Sequence, residues 1–153
     1  KIFIAMRYWH PMSIETAGAV KEYNPDNIVL LPLYPQFSTA TTGSSIDDWN
    51  RSARVVGITV PTQAICCFPT NDSFVNAHAN LISKRFIKSE NRSYEPRLLF
   101  SAHGLPKKVV ARGDPYQWQV EQTVQSVVKR LNETGIKMFS WSICYQSRVG
   151  PLE

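Results

Sequence analysis

Residues 98–116 read LLFSAHGLPKKVVARGDPY: an apolar run stops at His103 and gives way to a glycine, a proline and a short basic segment. The run predicts a strand over residues 98–102. The clearest helix in the chain follows it, with Val120, Val124, Val127, Val128 and Leu131 at helical spacing and Gly135 to close it. Residues 138–143 are apolar again and read as the next strand. Strand, helix and strand in that order predict parallel pairing across a helical crossover. His103 then stands either as a packed strand residue or as a working group at the strand's carboxyl end.

The rest of the chain repeats the alternation. Residues 2–5 read as a buried strand, and Pro11 opens a helix that Ser13 could cap and that Asn24-Pro25 stops near Tyr23. Residues 28–33 form an unbroken apolar run, the pattern of a strand covered on both faces. After the polar loop YPQFSTATTGS, Ser44 or Ser45 caps a helix through Val56, with Asp47 and Asp48 in its first turn and Gly57 behind it. Residues 63–68 give a third strand, and Asn71 or Asp72 caps a long helix whose apolar face includes Phe74, Ala77, Leu81 and Phe86. The expected class is α/β, with parallel sheets carrying helices on both faces. The polar stretch at residues 88–95 is the expected boundary, dividing the chain into residues 1–88 and 89–153.

Composition narrows the classes. A chain of 153 residues with 43% hydrophobic content can build a core, so disorder is not the expectation. Its 17 basic and 12 acidic residues suit an anionic partner without naming one. The basic residues form no long block, and Lys84, Arg85 and Lys88 read as a solvated helix face, so nucleic acid is not an expected partner. Cys66, Cys67 and Cys144 lack the spacing of a metal site or disulfide scaffold and read as reduced thiols, the adjacent pair as core residues on a strand. No apolar run approaches the ~18 residues of a membrane span and no signal peptide opens the chain, so a cytoplasmic protein is expected. The sequence starts without Met and stops at RVGPLE, which reads as the middle of something longer.

In open parallel sheets ligands bind beyond the carboxyl ends of the strands. The segments there are RYWHP, YPQFSTATTGS, FPTND, HGLPKKVVARGDPY and YQSRVGP, which together hold most of the aromatic and polar clusters. A neutral imidazole at His103 could accept a proton or bind a metal, since free histidine titrates near ~6.5. His10 reads as structural, His78 lies inside a helix, and the three histidines share no metal-ligand spacing. Arg7 could present a planar fork to a carboxylate, and Tyr8, Tyr34 and Phe37 could stack on a flat ligand. Each of these is equally well a rim residue with ordinary surface contacts. STATTGSS resembles an anion cradle only weakly, because no GxxxxGK[ST] is present.

RYWHP, LPLYPQFSTATTGSS, LLFSAHGLPKKVVARGDPY and CYQSRVGPLE, in this order and spacing, closely resemble the ferrochelatases, lyases that insert ferrous iron into a porphyrin to complete haem synthesis. The resemblance runs from Arg7 to Glu153. It implies two Rossmann-like, chelatase-like three-layer units, with this chain carrying the later part of the first and the early part of the second, and the porphyrin held in the cleft between them. It makes His103 the catalytic and metal-binding histidine, working with a glutamate from a later segment, and it places Arg7, Tyr8, Tyr34, Gln36 and Ser38 against the porphyrin. Ferrous iron would be substrate, with no organic cofactor. Thr39 stands where animal members carry a cysteine of their iron–sulfur cluster, so no cluster is expected, and Asn71 and Asp72 replace a histidine pair that some members carry.

A coproporphyrin chelatase or a chelatase for another metal would carry similar motifs, and a non-catalytic porphyrin- or haem-binding protein could use the same fold. The sequence leaves oligomeric state open, as it does the peripheral membrane association some members show. With its partner carboxylate absent, the 153-residue chain alone is expected to be inactive.

Overall fold

The computed structural model describes residues 1–87, 97–135 and 140–146. The chain resolves into two compact units, Lys1–Cys67 and Phe68–Glu153.

In the first unit, α1 (Ser13–Tyr23) begins where the Glu15 carboxylate accepts the Met12 N–H at 2.7 Å. Met12, rather than Ser13, therefore holds the cap position, and Ser13 is a buried residue of the first turn. Asn24 takes the left-handed conformation (φ 51°) and its N–H closes onto the carbonyls of Val20 and Lys21. β1 (Ile28–Leu30) pairs in parallel with β2 (Thr62–Ala64), Ile28 opposite Thr62. The crossover between them is α2 (Ser44–Val56), closed by Gly57 at φ 74° as its position after the last helical turn predicts. Ala17 and Val20 of α1 meet Trp49 and Ala53 of α2, with Ile28 and Leu30 packed against them.

Three sequence expectations change here. Residues 2–5 form no strand: Ile2 is 90% exposed, Phe3 packs edge-on against Tyr23, and the Ile4 carbonyl accepts from Thr16 Oγ1 at 2.7 Å. Strand propensity without a ladder partner gives only an apolar arm. The run at residues 28–33 pairs over three residues only, and it is covered on one side. Helices α1 and α2 lie against Ile28 and Leu30, while Val29 is 61% exposed on the other face. The third strand stops at Ala64 rather than running through residues 63–68, which leaves Cys66 exposed and Cys67 half-buried instead of in a core.

In the second unit, the Asn71 carboxamide caps α3 (Asp72–Ile87) by accepting the Phe74 N–H at 3.2 Å. β3 (Leu98–His103) pairs in parallel with β4 (Trp141–Gln146) in unbroken register from Leu98–Trp141 to His103–Gln146. Between them lie α4 (Lys107–Ala111), a short helix within a stretch that reads as loop, and α5 (Tyr116–Glu133). All five apolar positions read from the spacing of α5 are buried. Val127 and Leu131 pack on Val75 and Ala79 of α3 and on Leu98 and Phe100 of β3, and each such large side chain contributes about 1.5–3 kcal/mol on burial. The buried stripe of α3 is thus Val75, Ala79 and Ile82, whereas Ala77 and Leu81 face outward, Leu81 64% exposed. Arg130 of α5 ties the two helices together through Asn76 and Asp72.

The expected boundary at residues 88–95 lies outside the described residues. The division between units falls at Cys67 and Phe68, so α3 packs within the second unit. Residues 138 and 139, read as the start of the last strand, also lie outside the described residues, and the strand continues to Gln146. Both sheets are parallel, as the strand and helix order predicts.

Candidate active site

His103 is the last residue of β3. Exposure along that strand alternates, with Leu98, Phe100 and Ala102 turned toward the helices and Leu99, Ser101 and His103 outward. This period of two places the imidazole at the carboxyl end of a parallel strand, on the face that α3 and α5 do not cover.

The parallel register sets its surroundings. Gln146 lies beside His103, and the Gly104 N–H donates to the Gln146 carbonyl at 2.8 Å, carrying the pairing past the strand end. Tyr145 pairs with Ala102. The start of α5 closes in on the same strand ends. Burial pushes the Tyr116 phenol above its ordinary range, and a hydrogen bond from the His103 backbone pulls it the other way. The Tyr145 phenol is also raised, first by burial and then by the nearby Glu121 carboxylate and Tyr116.

The quoted segment shows why α5 starts there. Pro106 precedes α4, and Gly113 takes φ 92°, where a side chain would be strained. Asp114 then accepts the Tyr116 N–H, the first of α5, at 3.0 Å across Pro115, which holds the cap position. Gly113 and Asp114 of RGDPY thus set the turn and the hydrogen bond that bring Tyr116 to the end of β3.

The other candidate residues are built within the first unit. Arg7 donates from Nε to Ser44 Oγ at 2.9 Å and lies 4.7 Å over the Tyr8 ring, so the RY pair is joined to the first residue of α2. Tyr34 is exposed and Gln36 half-buried. Ser38 is only 1% exposed: its hydroxyl accepts the Ala40 N–H at 3.1 Å and its carbonyl accepts from Thr41 and Gly43, which shapes the wide turn Thr39–Gly43 ahead of α2. That geometry makes Ser38 the anchor of the YPQ-S loop. His10 is paired with Glu15 at 3.1 Å, and the His78 ring packs on Phe74, so each has a structural partner.

Among the described residues no three His, Cys, Asp or Glu side chains converge to hold a metal ion. A shallow depression lined by Val128, Asn132 and Trp141 sits at the amino end of β4, the opposite end from His103. None of the described helices is long and apolar enough to cross a membrane. What the strand ends offer is an accessible imidazole beside a carboxamide, able to accept a proton or bind a metal from solution.

The sequence reading did not single out Gln146, Tyr145, Tyr116 or Glu121. Gln146 follows from register alone, since each strand counts six residues to its end and Leu98 is opposite Trp141. Tyr116 had a signal in Asp114-Pro115, the pair at which α5 begins.

The family model described as Ferrochelatase matches residues 1–153. Over the whole chain, the sequence is 50% identical to a Ferrochelatase of Wolbachia sp. subsp. Brugia malayi, covering 44% of that protein. It is 47% identical to a Ferrochelatase of Pelagibacter ubique and 49% identical to one of Caulobacter vibrioides, in both cases over all of this chain and 42% of the relative. The chain therefore spans less than half the length of the curated relatives it matches.

Proposed function

The chain belongs to the ferrochelatase family, and from that membership we propose that the whole protein inserts ferrous iron into protoporphyrin, the lyase step that completes haem. The observation that carries this reading for the present residues is the exposed imidazole of His103 at the carboxyl end of β3.

A free-base porphyrin loses its two pyrrole N–H protons as the iron enters, so a group that accepts protons has to stand over the ring. His103 takes that role, or holds the incoming ion until the nitrogens take it. A general base placed in this way contributes about 10²–10⁴ in rate. Gln146 keeps a hydrogen-bonding side chain beside the imidazole, and Tyr116 braces the strand end from behind. In the first unit, Tyr8 and Tyr34 supply flat faces for the macrocycle. Arg7, with Nε given to Ser44, presents its outer nitrogens to a propionate, while Gln36 lies on the loop that Ser38 anchors. Iron is substrate in this scheme, no organic cofactor or iron–sulfur cluster takes part, and the protein works in the cytoplasm without a nucleic-acid partner.

The test is iron incorporation by the whole protein, followed as the change in porphyrin absorbance, with protoporphyrin and coproporphyrin in competition. Haem formation from protoporphyrin is the expected result. Preferential use of coproporphyrin would reassign the substrate, and tight porphyrin binding without incorporation would overturn the enzymatic reading.

A further inference from the structure

Cys66 and Cys67 follow the end of β2 by two residues. Successive side chains of an extended strand point to opposite faces, which would hold two adjacent sulfurs apart. Here the chain has left the ladder after Ala64, and the two Sγ atoms lie 3.0 Å from each other, Cys66 exposed and Cys67 half-buried.

Two sulfurs so close can both bind one soft atom. A tetrahedral zinc ion, with Zn–S bonds of about 2.3 Å, would need the sulfurs roughly 3.7 Å apart and two further ligands. Among the described residues no third Cys, His, Asp or Glu joins them. A trivalent arsenic centre carrying one organic group is pyramidal, takes a narrower S–As–S angle, and is complete with two sulfurs.

We propose that Cys66 and Cys67 form a chelating dithiol site for trivalent organoarsenicals and thiophilic centres of the same valence. The site goes beyond the porphyrin reading and does not rest on it. With an arsenoxide, two As–S bonds form while two S–H bonds and the As–O linkage break. The oxygen leaves as water with both thiol hydrogens, and no oxidation state changes. The hydrogen bond with Cys67, together with burial, pushes the Cys66 thiol up to about 11, so Cys66 is held as a protonated thiol near neutral pH. Reagents that need a free thiolate at Cys66 are thereby disfavoured, whereas ring closure onto arsenic removes both protons.

The experiment treats the 153-residue chain with phenylarsine oxide and weighs the product by mass spectrometry, with free thiols titrated in parallel. The expected product carries one phenylarsenic bridge, has lost two of its three thiols, survives excess glutathione, and is stripped by 2,3-dimercaptopropanol. Cys66→Ser and Cys67→Ser should each abolish glutathione-resistant binding, and Cys144→Ser should leave it intact. Peptide mapping of the unsubstituted chain, which needs no variant to fold, should find the bridge on the peptide holding residues 66 and 67. Retention in Cys66→Ser, release by glutathione alone, or a bridge involving Cys144 would overturn the proposal.

Discussion

Truncating Leu131 to alanine tests the packing that holds α5 against the strand bearing His103. Leu131 is 0% exposed and sits among Val75, Ala79, Val127, Leu98 and Phe100. The substitution removes three buried carbons, about 2.4 kcal/mol of transfer free energy at ~0.8 kcal/mol each. A partly relaxed cavity adds about 1 kcal/mol, for a total of roughly 3–4 kcal/mol. In a unit of this size each kcal/mol lowers Tm by about 4–8 °C, so the melting point should fall by on the order of 15 °C. Leu81→Ala makes the same chemical change on α3 at a position 64% exposed, and should cost less than about 1 kcal/mol. Urea unfolding followed by circular dichroism measures both, with the midpoint shifting and the slope unchanged. A loss below about 1 kcal/mol at Leu131, or equal losses at the two leucines, would refute the packing described for α3 and α5.

The Glu15 carboxyl is held below its ordinary range chiefly by the Met12 N–H, with the His10 contacts adding to the same direction. A depressed folded-state value means its stabilisation is present above the unfolded pKa and is lost as pH falls through the folded one. The difference in Tm between the protein and Glu15→Gln should thus shrink on acidification, and a constant difference from neutral pH to pH ~3 would contradict the cap. Cys66 should resist iodoacetamide at pH ~8, since moving its pKa from 9.0 to about 11 cuts the thiolate fraction roughly a hundredfold; mass spectrometry of the alkylated peptide reads the rate, and labelling as fast as a free cysteine would contradict the paired thiols. Tyr116→Phe removes the hydroxyl bonded to the His103 backbone, and amide exchange at His103 should quicken by about tenfold, the value of one neutral hydrogen bond. Unchanged exchange would detach Tyr116 from the strand end.

Helices were more legible than strands, for a physical reason. The stripe of α5 is written in its own residues, Val120 through Leu131, and the glycines after α2 and α5 mark positive φ that other residues avoid. A strand exists only through its partner, so residues 2–5 and 31–33 have the propensity without the pairing, and only pairing sets where β2 and β4 stop. Helix α3 misled because two apolar stripes compete on it, and Val127 and Leu131 select the one with Val75 and Ala79. The strand-end position of His103 was visible because an apolar run ends at it. Gln146 was not, because nothing local in YQSRVGP discloses which residue of β4 stands opposite. The resemblance alone places Ser38 against the porphyrin, and what the structure adds is its burial and the Ala40 N–H it accepts, which hold the loop.

The central claim is that His103 works on the porphyrin, and the most direct measurement is the rate of ferrous iron insertion by the whole protein with His103→Ala. The account predicts a fall of about 10²–10⁴ with porphyrin binding retained, because the residues assigned to the macrocycle lie elsewhere in the chain. Turnover near that of the unsubstituted protein would contradict it.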